Sequence, residues 1–189
     1  MDNDGFDELV IGAMAIDHDG TVLWVKNGKD GQDYQGHSDS IHLTAMNPEK
    51  PTQLYVFTPS EEKESTLNAT LSNAANGSRI NGTWNALADI GRGVAANITP
   101  AEGFEYWANN PNSEGNITGA IFNIKGSVIA ATKPDNISTN WVIYWDGDLC
   151  DESFDYSNGK NSAGAIFKPY VGRIALLEGS KTNNDTKGT

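Results

Sequence analysis

Asn47-Pro48 is followed six residues on by Leu54-Tyr55-Val56-Phe57, and Thr99-Pro100 four residues on by Phe104-Glu105-Tyr106-Trp107. Asp4-Gly5 leads in the same way into Asp7-Glu8-Leu9-Val10. A turn pair running into a β-prone apolar stretch thus returns at intervals of about 44 and 52 residues, close to the ~40–50 of a four-stranded propeller blade. An all-β sandwich also yields many short strands. The repeat favours the propeller, with about four blades in the 189 residues.

The stretches between the repeats agree. Glu8 to Ile16 is an apolar run closed by Asp17-His18-Asp19-Gly20, a turn suited to a hairpin, and Thr21-Val22-Leu23-Trp24-Val25 reads as the partner strand. Further strands are expected at 54–58, 104–108, 120–124, 127–132, 141–145 and 173–177, with Asn123-Ile124-Lys125-Gly126 as another hairpin turn. Glu61 to Ala75 has a helix-like pattern too polar to bury a face. A polar insertion at about 61–80 is therefore expected within one propeller domain spanning residues 1–189.

Composition narrows the partners. Thirteen Lys and Arg face 25 Asp and Glu, giving a net charge of −12. No basic cluster stands ready to neutralise phosphates, so neither nucleic acid nor an anionic membrane is expected as a partner. No apolar run approaches the roughly 18 residues of a membrane span. Met1-Asp2-Asn3-Asp4-Gly5 has neither a basic start nor an apolar segment, and no signal peptide is expected there. Cys150, the single cysteine, is expected in a core strand as a small apolar filler, since Asp148 and Asp151 beside it would not activate a thiolate. Seven Asn-x-Ser/Thr sequons, at Asn68, Asn76, Asn81, Asn97, Asn116, Asn136 and Asn184, exceed the roughly three that chance would give. They fit a secreted glycoprotein, and an Asn-rich coding bias would also produce them.

Two stretches carry metal-type chemistry. Asp2-Asn3-Asp4-Gly5-Phe6-Asp7-Glu8 sets oxygen ligands at alternate positions around a glycine, as a calcium loop does, but it lacks the closing Glu and helices of an EF-hand. Asp2 and Asp4 are the candidate ligands, against a plain acidic turn. Gly36-His37-Ser38-Asp39-Ser40-Ile41-His42 places an imidazole and a carboxylate at i and i+2, on one side of an extended backbone.

Six blocks, in order, resemble the rhamnogalacturonan lyases of polysaccharide lyase family eleven. Asp7 to Gly20 is similar to that family's "DEIIYGAM.IDHDG", and Gly36 to His42 to "GHGDALH". Asp89-Ile90-Gly91-Arg92-Gly93 is similar to "DTGRG", and Gly103 to Asn109 to "GAEVWAN". Trp145-Asp146-Gly147-Asp148-Leu149 matches "WDGDL", and Asn183-Asn184-Asp185-Thr186-Lys187 resembles "NNGTK".

The resemblance implies an eight-bladed propeller, of which this chain holds a part. It also implies extracellular cleavage of pectin, at the rhamnosyl-galacturonate backbone of rhamnogalacturonan I, by calcium-assisted β-elimination. Taking the C5 proton of a galacturonate next to its carboxylate requires that the carboxylate be neutralised, by Ca²⁺ or arginine, and that a base receive the proton. The family's calcium ligands fall on His37, Asp39 and Glu61 or its neighbour Glu62, and a further family His lies upstream of the first block. Arg92 and Lys187 are the implied reacting pair, and Asn184, Asp185 and Thr186 the implied substrate-contacting loop.

Some positions depart from the family. Asp185 replaces a glycine, Asp151 an arginine, and Ala96-Asn97-Ile98-Thr99-Pro100 stands for "ADIDP". The chain also falls short of a closed ring, leaving the other blades of the enzyme as implied partners. A non-catalytic, calcium-stabilised pectin-binding propeller is the alternative function, and an unrelated calcium-loop adhesion propeller a third.

Overall fold

The computed structural model describes residues 1, 4–28, 33–61, 69–83, 90, 92–108, 120–131, 141–156 and 164–177. Among them lie fifteen β-strands in four antiparallel sheets, and no helix. The first sheet holds β1 (Leu9–Ile11), β2 (Met14–Ile16) and β3 (Val22–Val25). The second holds β4 (His42–Thr44), β5 (Tyr55–Pro59), β6 (Ala69–Asn73) and β7 (Arg79–Thr83). The third runs through β8 (Gly93–Ala96), β9 (Glu105–Ala108), β10 (Ile121–Asn123) and β11 (Val128–Ala130). The fourth holds β12 (Trp141–Ile143), β13 (Glu152–Tyr156), β14 (Gly164–Lys168) and β15 (Gly172–Leu177).

Each sheet is a meander in chain order, and β4, β8 and β12 begin at His42, Gly93 and Trp141, about 50 residues apart. The repeated Asn47-Pro48 and Thr99-Pro100 pairs lie in the connections between first and second strands of their sheets. Asn47 Nδ2 reaches Tyr55 Oη at 3.4 Å, and Thr99 Oγ1 donates to the buried Glu105 Oε1 at 2.6 Å. The repeat is thus a turn tied back to the strand that follows it.

Successive sheets pack face to face. Ala15 and Trp24 of the first meet Val56 of the second. Tyr55, Phe57 and Leu71 of the second meet Ala95, Tyr106 and Phe122 of the third, with Phe57 and Tyr106 ring centroids 5.1 Å apart. Val94, Ala96, Trp107 and Ile121 then pack against Val142 of the fourth. Because neighbouring residues of a strand face opposite sides, Val56 and Phe57 serve different interfaces, as do Tyr106 and Trp107. A strand buried on both faces reads as an unbroken apolar run, which is why β5 and β9 stood out in the sequence.

Several expectations are corrected. The run from Glu8 to Ile16 is not one strand: a turn at Gly12, whose φ of 50° suits glycine, folds it into β1 and β2. The Asp17–Gly20 and Asn123–Gly126 turns do close hairpins. Of the expected insertion at 61–80, residues 62–68 lie outside the described residues, while 69–73 form β6 and 79–80 begin β7, the third and fourth strands of the second sheet. Ala69, Thr70, Leu71 and Ser72 are all buried, the two hydroxyls because buried partners use them. Cys150 lies in the β12–β13 connection rather than in a core strand, half-buried, its thiol pushed up by burial and by the charge of Asp148.

Candidate functional site

His42 pairs with Phe57 in the β4–β5 ladder, so the start of β4 and the end of β5 lie at one end of the second sheet. The segment entering β4 and the residue leaving β5 are joined there by Glu61 N–H donating to His37 C=O at 2.7 Å. The side chains meet as well: His37 Nδ1 lies 2.5 Å from Glu61 Oε2. Asp39 completes the group, and one donor atom from each of the three lies within 4.8 Å of the others. The expected trio is therefore assembled from positions 24 residues apart in the chain.

Arg92 arrives from the third sheet. Ile90 N–H donates to Ser60 C=O at 3.1 Å, tying a residue just before β8 to the residue that follows β5. Arg92 Nε then lies 3.5 Å from Asp39 Oδ2. The next residue, Gly93, is gripped by the histidine segment. Its N–H donates to Ser40 Oγ and its C=O accepts from the same hydroxyl, both at 3.0 Å, while His42 Nε2 lies 2.9 Å from that carbonyl. Burial lowers the pKa of His42 and the contact to Gly93 opposes this, so the neutral Nε2–H tautomer is the donor near pH 7. A Cβ on Gly93 would come within 2.7 Å of Trp107 O, so glycine is required for this approach.

Beneath the site runs a buried polar chain. Gln35 Nε2 donates to Thr58 C=O at 3.1 Å, and Lys26 Nζ donates to Gln35 Oε1, Thr70 Oγ1 and Ser72 Oγ at 3.4, 2.9 and 2.6 Å. Desolvation lowers the pKa of this ammonium to about 8, since its direct partners are neutral oxygens. Ser40, His42, Gln35 and Lys26 were absent from the sequence expectations. The adjacency of Ser40 and His42 to His37 was their only signal.

The donor set suits a divalent cation. Two carboxylates and an imidazole leave much of the 6–8-fold shell of a calcium ion to water and to ligand oxygens, and the exposed faces of His37 and Asp39 admit both. Asp4 belongs to a different cluster. Its Oδ2 lies 3.2 Å from His18 Nδ1, which also lies 2.9 Å from Asp17 Oδ1 and is raised in pKa by that contact; Phe6 stacks on the imidazole. A third acidic group, Asp146, Asp148 and Glu152, surrounds Lys168, whose Nζ contacts Asp148, lies 2.5 Å from Asp146 and 3.5 Å from the buried Glu152. Asp2, Glu62, Asn184, Asp185, Thr186 and Lys187 lie outside the described residues.

Two sequon asparagines donate hydrogen bonds to other sheets or their connections. Asn81 Nδ2 donates to Tyr106 Oη at 2.6 Å, and Asn97 Nδ2 to Leu149 C=O at 2.5 Å. Asn97 N–H donates to Asp151 Oδ2 at 2.9 Å and Asp151 N–H to Asn97 C=O at 2.6 Å, joining the third sheet to the fourth. The departures Asn97 and Asp151 therefore partner each other.

Known proteins resemble this chain over its whole length. Residues 1–189 match the C-terminal domain of rhamnogalacturonan lyase family 11. Over its full length the chain is 33% identical to the rhamnogalacturonan endolyase YesW and the rhamnogalacturonan exolyase YesX of Bacillus subtilis (strain 168). It spans 27% and 30% of their respective lengths. The crystal structure of YesX superposes with a TM-score of 0.82 over 99% of this chain and 30% of its own, at 33% identity. That of a Bacillus licheniformis rhamnogalacturonan lyase gives 0.78 over 100% of this chain and 29% of its own, at 35% identity. With its whole length matched to that domain, the chain belongs to rhamnogalacturonan lyase family 11.

Proposed function

We propose that this chain is part of a lyase that cleaves the rhamnogalacturonan backbone of pectin by β-elimination outside the cell, with its four sheets as successive blades of an eight-bladed propeller. The observation that carries the reading is the meeting of Arg92 with His37, Asp39 and Glu61, three separate segments that supply positive charge and cation ligands at one sheet end. Face-to-face stacking and the ~50-residue repeat support the blades. The names of the relatives support the substrate class.

Held by His37, Asp39 and Glu61, Ca²⁺ would supply positive charge to a uronate carboxylate and so acidify the neighbouring C5–H. The Arg92 guanidinium is suited to grip the same carboxylate through two parallel N–H donors. Lys187 is the proposed base: its neutral amine takes the C5 proton, a C4–C5 double bond forms, and the C4–O bond breaks with its electron pair going to the leaving oxygen, which takes a proton from water. Asn184, Asp185 and Thr186 would line the sugar beside it. Asp4, with Asp2, is proposed as a second, structural Ca²⁺ loop.

The test is incubation of the full-length protein with rhamnogalacturonan I in calcium and in chelator. The conjugated unsaturated uronate should appear as rising ultraviolet absorbance in calcium alone. Calcium-dependent binding without product would select the non-catalytic binding module, and neither binding nor product would overturn both readings.

A further inference from the structure

A cavity of about 390 Å³ opens where the first sheet meets the turn between β6 and β7, lined among others by Trp24, Lys26, Asp33, Asn76, Ser78 and Arg79. It lies at the far end of the second sheet from the His37 group. Glu61 of that group follows just beyond Pro59, which pairs with Ala69, whereas Tyr55 at the other end of β5 pairs with Asn73, the residue that enters the turn. The walls are fixed. Trp24 Nε1 donates to Ala74 C=O at 2.7 Å, and a Cβ on Gly77 would come within 2.7 Å of the indole, so glycine is what lets the turn close on that ring. Ser78 N–H donates to Asn76 Oδ1 at 3.0 Å, and Asn73 N–H to Ser78 C=O at 2.9 Å. Arg79 Nη1 donates to Asp33 Oδ1 at 2.8 Å, yet 46% of the Arg79 side chain remains accessible.

The charges do not cancel. Lys26 and Arg79 face one carboxylate, Asp33, and the direct partners of Lys26 are the neutral oxygens of Gln35, Thr70 and Ser72. A chain of net charge −12 thus lines this cavity, among its described residues, with one positive charge in excess. An anion there would offset the cost of burying the ammonium. The volume falls at the small end of the ~300–1,000 Å³ of ligand sites. We propose that the cavity is a second saccharide site, which takes a uronate of an acidic oligosaccharide with its carboxylate against the Arg79 guanidinium. The planar fork carries five N–H donors, of which the bond to Asp33 uses one. The Asn76 amide and the Ser78 hydroxyl serve the ring hydroxyls, and Trp24 supplies apolar surface. The excess charge calls for an anion; the choice of a uronate over other carboxylates rests on the proposed pectic substrate.

Calorimetric titration of the full-length protein with tri-galacturonate tests it, in chelator and with protein from a host that adds no glycan at Asn76. Arg79→Gln should weaken binding about tenfold or more, the scale of a lost charge-assisted pair. Asp33→Asn, which removes the competing carboxylate, should strengthen it about two- to fivefold. Opposite signs from two residues of one ion pair cannot come from general damage to the fold. The neutral galactose trimer should bind at least about tenfold more weakly than tri-galacturonate. Weakening by both variants, equal binding of the neutral trimer, or equally tight binding of inorganic phosphate would each overturn the proposal. Binding lost in Arg92→Gln and kept in Arg79→Gln would place the sugar at the His37 end and overturn it too. Cleavage of rhamnogalacturonan without Arg79-dependent binding sinks this inference alone; Arg79-dependent binding without cleavage sinks the lyase reading alone.

Discussion

Ser40 and Gly93 are bonded twice through one hydroxyl: Oγ accepts from the glycine N–H and donates to its C=O, each at 3.0 Å. This contact spans 53 residues of sequence and ties the segment bearing His37 and Asp39 to the residue after Arg92. Ser40→Ala removes both bonds at once. It should lower stability by about 1–2 kcal/mol in urea titration and speed amide exchange at Gly93, while Ser38→Ala leaves that exchange unchanged.

His42 carries a pH dependence of defined sign. Burial holds its pKa below 6.5, so the unfolded chain binds the proton more readily than the folded one. Its contribution to stability is complete above 6.5 and is lost as pH falls through the lower folded value. The stability difference between wild type and His42→Gln, measured from pH 7.5 down to 5, should therefore shrink, and a flat difference would contradict the assignment.

Lys26 gives the corresponding effect in alkali. Its pKa of about 8 lies below its ordinary 10.5, so folding is penalised by the buried charge below pH 8 and relieved as pH rises towards 10.5. Relative to Lys26→Met, wild type should gain stability across this window, by on the order of 3 kcal/mol in total. Denaturation midpoints of the two proteins between pH 7 and 10.5 measure the gain.

Glycines should differ sharply in their tolerance of a methyl group. Gly93→Ala sets a Cβ 2.7 Å from Trp107 O and 3.0 Å from Phe57, and should cost about 1–3 kcal/mol through overpacking. Gly20, at φ 89°, has open space around it, so Gly20→Ala should cost only the left-handed backbone penalty of about 1–2 kcal/mol. A calcium site at His37, Asp39 and Glu61, as proposed, should lose affinity with the first and not the second, since only Gly93 is bonded to the Ser40–His42 segment.

Sequon occupancy is a further readable outcome. Asn76 is exposed in the β6–β7 turn, whereas the amides of Asn81 and Asn97 are committed to Tyr106 and Leu149. After secretion from a glycosylating host, peptide mass spectrometry should find glycan at Asn76 and bare asparagine at 81 and 97.

The strands that sequence reading located are those rich in aromatic and β-branched residues, such as Tyr55-Val56-Phe57 and Tyr106-Trp107. Those it missed are built otherwise. β8, Gly93-Val94-Ala95-Ala96, uses small residues because two sheets close on it, and β6 hides Thr70 and Ser72 because Lys26 arrives to bond them. Thr70 and Ser72, part of the polarity that made 61–80 read as an insertion, belong to that network. At the site, His37 and Asp39 share a block and Glu61 was placed through the resemblance. Ser40, His42 and Gln35 act on partners 53, 51 and 23 residues distant, beyond any local pattern.

Lys168 gives the fourth sheet a counter-ion that is part of its own chain. Its ammonium sits among Asp146, Asp148 and Glu152, and these contacts hold its pKa above the ordinary value. A tethered cation has a local concentration fixed by the backbone, so it cannot be diluted away or extracted by a chelator. The β12–β13 connection should therefore keep its shape in media stripped of divalent ions, where the His37 cluster would stand without a cation. The chain would then contain one acidic cluster that carries its own cation and, on the proposed calcium reading, another that takes its cation from solution.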